Sequence, residues 1–134
     1  STVFDWKEAL DFERQSAPYI QYAHARACSI LEKARADGGF TECYAYSDPY
    51  ELALAKHIAQ FPFVLEKVVV ELRPHLLATY VRDLADLFNS FYRFAPVLKA
   101  EGNVRDARLT LVDACRNTLY QALGVLGIEA LESM

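Results

Sequence analysis

Tyr22, Arg26, Ser29 and Lys33 follow one another at steps of four, three and four residues, with Tyr19 three residues before the first. At about 100° per residue of α-helix, that spacing gathers all five on one face. A tyrosine ring offers an unpaired base a stacking platform. A guanidinium beside it offers stacking, a phosphate contact or paired hydrogen bonds to a base edge. The same pattern also fits a solvated face whose tyrosines rest on a neighbouring helix, and spacing alone leaves both readings open.

A second face repeats the chemistry. His75, Arg82, Asn89 and Arg93 fall seven, seven and four residues apart, with Tyr92 at their flank and Asp86 among them. An asparagine amide reads a base edge, a tyrosine stacks, and Arg82 and Arg93 suit phosphates. An ordinary polar surface laced with intrahelical ion pairs would look similar.

Other candidates are weaker. Arg108 and Arg116 lie close to an apolar stripe of Leu109, Val112, Leu119 and Leu123. They read as packed stems whose heads pair with an acid such as Asp83 or Asp86. His24 and Cys28, four residues apart, have a metal-ligand spacing, with Cys43 or Cys115 as further donors, but no Cys-x-x-Cys accompanies them and a hydrogen-bonded core histidine is the simpler reading. We therefore expect no metal site. Nor do we expect catalytic residues, since the chain has no Gly-rich phosphate loop, Gly-x-Ser-x-Gly turn or His-Glu-x-x-His motif.

The elements that must position these faces are helical. Between Ala17 and Ala36, Ile20, Ala23, Ala27, Ile30, Leu31 and Ala34 form an apolar arc, and Gly38-Gly39 ends it. Ser47-Asp48-Pro49 with Glu51 starts a helix to about Gln60, by side-chain cap, first-turn proline and an acid at the positive end of the dipole. Pro62 predicts a break, followed by a helix over Phe63–Arg73 packed through Val64, Leu65, Val68, Val69 and Leu72. Pro74 opens a central helix reaching Phe94, with Leu76, Leu77, Tyr80, Leu84, Leu87, Phe88 and Phe91 on its core face. Pro96–Asn103 reads as a loop, Val104–Leu126 as the last helix, and Gly127 as its release. Phe4–Arg14 carries a shorter helical pattern. The expected fold is all-α, one domain of five to six helices over 1–134: a lead-in segment over 1–16, a bundle over 17–126 and a tail over 127–134.

Composition agrees: 134 residues, 53% hydrophobic and 13% aromatic with 5 Gly and 5 Pro, suit one compact helical core better than a turn-rich sandwich or a disordered chain. No stretch approaches the roughly 18 to 20 apolar residues of a membrane span, and no signal segment opens the chain, so we expect a cytoplasmic protein without a membrane partner. Three cysteines, an odd number, suit reduced thiols buried as small hydrophobes. A net charge of −4 is poor for nucleic acid on average. Local clustering, or a neighbouring part of a larger protein, would have to supply the phosphate attraction.

Read in order, Ser16-Ala17-Pro18-Tyr19-Ile20-Gln21-Tyr22-Ala23-His24-Ala25-Arg26, Pro74-His75-Leu76-Leu77-Ala78-Thr79-Tyr80 and Phe88-Asn89-Ser90-Phe91-Tyr92 resemble the C-terminal anticodon-binding (DALR-type) domain of the arginyl-tRNA synthetases. The close is similar too: Leu126-Gly127-Ile128-Glu129-Ala130 leads to a terminal Met134, with Leu131 where a proline is common nearby. Asp106-Ala107-Arg108-Leu109 approximates Asp-Ala-Leu-Arg, and Glu13-Arg14-Gln15 stands where glycine is frequent. The catalytic core's His-Ile-Gly-His-like and Lys-Met-Ser-Lys-Ser-like signatures do not occur. His57-Ile58 begins like the first, but Ala59-Gln60 follow.

The resemblance implies the all-α anticodon-binding domain of a class I aminoacyl-tRNA synthetase, reading the arginine anticodon and above all its central cytosine. It implies that Tyr22 and Arg26 contact anticodon bases, that Tyr92 stacks, and that Met134 approaches the anticodon. Asn89 joins them from helix geometry alone, as do Lys33, Arg82 and Arg93 as secondary RNA contacts. The implied partners are tRNA(Arg) and a catalytic domain of the same polypeptide, with no DNA. The domain itself would hold no cofactor; the parent, an arginine–tRNA ligase, would use ATP, magnesium and L-arginine. Two alternatives remain: the helical anticodon domain of another synthetase, of cysteinyl or glycyl β-subunit type, or a helical protein-interaction module.

Overall fold

A computed structural model of the chain describes residues 15–134. The helix expected over Phe4–Arg14, and the lead-in segment apart from Gln15 and Ser16, lie outside the described residues. Among these residues there are five helices and no strand: α1 (Ala17–Ala36), α2 (Pro49–Ala59), α3 (Phe61–Glu71), α4 (Pro74–Phe94) and α5 (Gly102–Val125).

The local chemistry explains most boundaries. Pro18 sits in the first turn of α1, and past its C-terminus the chain turns through Gly38 and Gly39, both at positive φ. Asp48 caps α2 by accepting hydrogen bonds from the Tyr50 and Glu51 N–H groups, and Glu51 returns the favour to the Asp48 N–H, completing a capping box. Pro62 does not push the next helix on to Phe63. It lies in the first turn of α3, where a missing N–H breaks no intrahelical bond, and Gln60 alone caps both α2 and α3. α3 stops where Leu72 adopts a left-handed conformation at φ 51°, two residues before the expected end at Arg73.

α4 is the central element, packing against each of the other four helices, while α1 and α5 lie along one another. The α1 arc is buried throughout, as are Leu77, Tyr80, Leu84, Phe88 and Phe91 of α4 and Leu109, Val112, Leu119 and Leu123 of α5. α3 departs from expectation. Val68 is buried and Val64 and Leu65 are half-buried, but Val69 and Leu72 face solvent, together with Phe63 and Val70.

Inside this frame one ion pair ties three segments. Arg108 Nε donates to Glu51 Oε2 at 2.7 Å, and its Nη1 donates to the Pro96 carbonyl at 2.8 Å. The partner is thus Glu51 of α2 rather than Asp83 or Asp86. Arg116 pairs with Asp113 on its own helix. Long-range pairing of this kind depends on how helices cross, which a single helical wheel cannot show.

Candidate nucleic-acid interface

Three segments meet in an open pocket of about 930 Å³, within the range of sites that hold small organic ligands. From α1 come Tyr19, Tyr22, Arg26 and Ile30, whose spacing of three and four residues keeps them on one stripe. α4 supplies Asn89, Tyr92 and Arg93, and the α4–α5 connector supplies Pro96, Val97, Leu98 and Lys99. The connector is fixed from below, because Arg108 holds the Pro96 carbonyl and Val97 is buried in the core.

A directed chain of hydrogen bonds organises the floor. Arg26 Nη1 donates to Asn89 Oδ1 at 3.0 Å, Asn89 Nδ2 donates to the Tyr19 hydroxyl at 2.9 Å, and that hydroxyl donates to Asp86 Oδ1 at 2.6 Å. Every donor points towards the Asp86 carboxylate, so the Asn89 amide has one orientation and the links reinforce one another. Burial, followed by the hydrogen bond to Asp86, pushes the Tyr19 hydroxyl above its usual pKa, so it remains a donor. The Arg26 guanidinium carbon lies 4.3 Å from the centre of the Tyr92 ring, a cation–π stack. Arg26 is thus fixed by a neutral amide and an aromatic ring, and among the described residues no carboxylate pairs with it. Among the described residues the pocket lining contains three cations, Arg26, Arg93 and Lys99, and no acid, so in a chain of net charge −4 cations gather where a phosphate or an electron-rich base edge would sit.

Tyr22 is 59% exposed and Tyr92, beneath Arg26, 45% exposed, so part of each ring is open to solvent. Tyr22, Arg26, Asn89, Tyr92 and Arg93 therefore converge. The other expected contacts do not join them. Arg82 donates to the Ser16 hydroxyl at 2.8 Å, and Lys33 is exposed outside the lining. Met134 is exposed and also outside the lining. The tail leading to it is tied down on the far flank of α1, where Gln21 Nε2 donates to the Glu129 carbonyl at 2.8 Å and the buried His24 donates from Nδ1 to the Leu131 carbonyl at 2.7 Å. Gln21 and His24 lie roughly opposite Tyr22 and Arg26 around the helix. Because the His24 bond holds the tail, His24 is a structural histidine of the core.

Sequence reasoning set Tyr19 on the α1 face, three residues before Tyr22, but gave it no contact of its own, and it did not single out Lys99. Lys99 carried no signal, since it sits in a connector without periodicity.

A family described as the DALR anticodon binding domain matches residues 20–134. Over all 134 residues the chain is 94% identical to a protein named arginine–tRNA ligase from Methanocorpusculum labreanum, of which it covers 24%. It is 68% identical to one of that name from Methanoregula boonei, again covering 24%. The chain thus spans about a quarter of the length of these relatives. A solved structure described as Thermus thermophilus arginyl-tRNA synthetase superposes with a TM-score of 0.83 at 41% identity, over 98% of this chain and 23% of that one. A structure described as a putative arginyl-tRNA synthetase from Campylobacter jejuni superposes at 0.77 with 23% identity, over 87% of this chain and 26% of that one, which speaks for the fold alone.

Proposed function

We propose, because this chain belongs to the DALR anticodon binding domain family, that its α1–α4 pocket holds an unstacked anticodon base of tRNA(Arg), the central cytosine above all. The observation that carries this reading is the Arg26 guanidinium, stacked on Tyr92 and oriented by Asn89, in a pocket whose described lining holds three cations and no acid. Tyr22 and Tyr92 supply π-faces, Arg26 directs its remaining N–H groups at a base edge, and Arg93 and Lys99 meet the flanking phosphates. Lys33 and Arg82, outside the pocket, would act only on more distant phosphates. Nothing in the geometry carries Met134 to the base.

In the whole protein, this docking would serve the attachment of arginine to tRNA(Arg) in the cytoplasm, with ATP, magnesium and L-arginine bound by a catalytic domain in the remaining three quarters of the polypeptide. The names of the curated relatives support an arginine enzyme over a cysteinyl or glycyl one. The isolated chain should bind but not catalyse, so arginine-dependent ATP–pyrophosphate exchange by it would refute that division of labour.

The binding test compares a tRNA(Arg) transcript with one whose central anticodon cytosine is replaced, titrated at low and moderate salt. The reading expects tighter binding of the cytosine form and a salt dependence matching a few phosphate contacts. Equal affinity for both transcripts would overturn the anticodon assignment.

A further inference from the structure

Tyr92 and Phe94 stand two residues apart in the last turn of α4, a spacing that points them to opposite flanks of the helix. Tyr92 faces the pocket. Phe94 faces α2, where its ring stacks on Tyr50 with centroids 4.9 Å apart and planes 25° from parallel. Neither ring belongs to the core: Phe94 is 52% exposed and Tyr50 38% exposed. Between the two flanks lies Arg93. It lines the pocket on one side, and on the other its guanidinium carbon is 5.0 Å from the centre of the Phe94 ring. Among the described residues it pairs with no carboxylate. Asp48, two residues before Tyr50, accepts the Tyr50 and Glu51 N–H groups at Oδ1.

We propose that Tyr50, Phe94 and Arg93 form a second nucleotide subsite, stacking another unpaired base of the RNA loop whose first base enters the α1–α4 pocket. This rests on the RNA-binding reading above. Aromatic platforms on either flank of one helix turn, with the Arg93 guanidinium between them and no carboxylate paired to it among the described residues, match two bases joined by phosphate: the rings take the bases and Arg93 meets the charge. The occupant is RNA rather than an apolar protein segment because the patch shares Arg93 with the pocket rim, where Lys99 adds a second cation. Stacking engages the π-face that every base has, so this subsite adds affinity without choosing a base.

The test measures affinity for the tRNA(Arg) transcript and its cytosine-replaced form, using wild type, Phe94→Leu, Tyr50→Leu and Arg93→Gln, with thermal melting of each. Leucine retains apolar bulk while removing the ring, and the two ring variants are independent, so one still reports if the other fails to fold. A folded ring variant should weaken both transcripts by the same factor, about tenfold, the scale of one base–aromatic stack. Arg93→Gln should flatten the salt dependence by about one phosphate contact. Unchanged affinity in a folded ring variant, while wild type still prefers the cytosine form, overturns the subsite and leaves the pocket reading standing. Equal wild-type affinity for the two transcripts, with both weakened by loss of a ring, supports the subsite and overturns the pocket's base selection. Failure of wild type to bind either transcript overturns both.

Discussion

The two ends of α4 face different surroundings. At its C-terminal end Asn89 joins a polar network in which Arg26, Asn89, Tyr19 and Asp86 each have a partner, and Tyr92 stacks under Arg26. At its N-terminal end α4 packs against α3, whose outer surface leaves Phe63, Val69, Val70 and the capping Leu72 each more than 60% exposed. The first region is finished: its geometry is fixed by contacts within the chain before any ligand arrives, so binding need not pay to order it. The second is an apolar surface of the kind rarely left in water. Polar preorganisation marks the end proposed to read a ligand, whereas the other end leaves large apolar side chains in solvent.

The core joining the two ends should give the largest effect. Phe88 is fully buried in α4, one residue before Asn89, so Phe88→Ala should cost about 3 to 5 kcal/mol through lost burial and a cavity. Denaturant unfolding would show it, and a loss below about 1 kcal/mol would mean that the two ends do not share one core. Next comes the Glu51–Arg108 pair. Burial alone would raise the Glu51 pKa, but the Arg108 hydrogen bond, the Ser47 and Asp48 N–H groups and the Arg108 charge together hold it below the usual carboxylate value. A lowered folded-state pKa contributes stability that is complete above the unfolded value, about 4.3, and is lost as pH falls through the folded one. Glu51→Gln should therefore destabilise the protein at neutral pH and remove part of its acid sensitivity. Since Arg108 also holds the Pro96 carbonyl, tRNA affinity should fall as well. A variant whose stability falls with acid just as steeply as wild type's would show that Glu51 does not carry that dependence.

Within the finished end, Tyr22→Ala should cost about 1 to 3 kcal/mol of tRNA binding and leave stability nearly unchanged, because the ring is exposed. Unfolding without a separate binding defect would instead make Tyr22 a packing residue and remove the contrast on this side.

How much of this was legible depended on whether a single helix carried the signal. α1 and α4 begin and end where the sequence places them, because each has a first-turn proline and a continuous apolar stripe. The convergence of Tyr22 and Arg26 with Asn89 and Tyr92 required two such stripes to face one another, and both were readable. The run Val68-Val69-Val70 was not, since three apolar residues in succession contain no periodicity to say which one points inwards. Arg108's partner and Lys99's place were hidden for a different reason: both depend on how far-apart segments cross. The position of Met134 was inferred from resemblance alone, and the Gln21 and His24 hydrogen bonds that route the tail along the far flank of α1 have no local sequence signature.

The smallest effect should come from the unfinished end. Val70 is 74% exposed on α3, so Val70→Lys removes little buried area and replaces a β-branched residue with a better helix former. Stability should change by no more than about 0.5 kcal/mol. tRNA affinity should also stay within error, because α3 meets the first half of α4 whereas Asn89, Tyr92 and Arg93 occupy its last turns. Solubility at high protein concentration should rise as the apolar patch is broken. A marked loss of stability would show that the α3 surface is packed rather than bare. An altered tRNA affinity at unchanged stability would mean that the two ends of α4 are coupled, and that the apolar end takes part in reading the ligand.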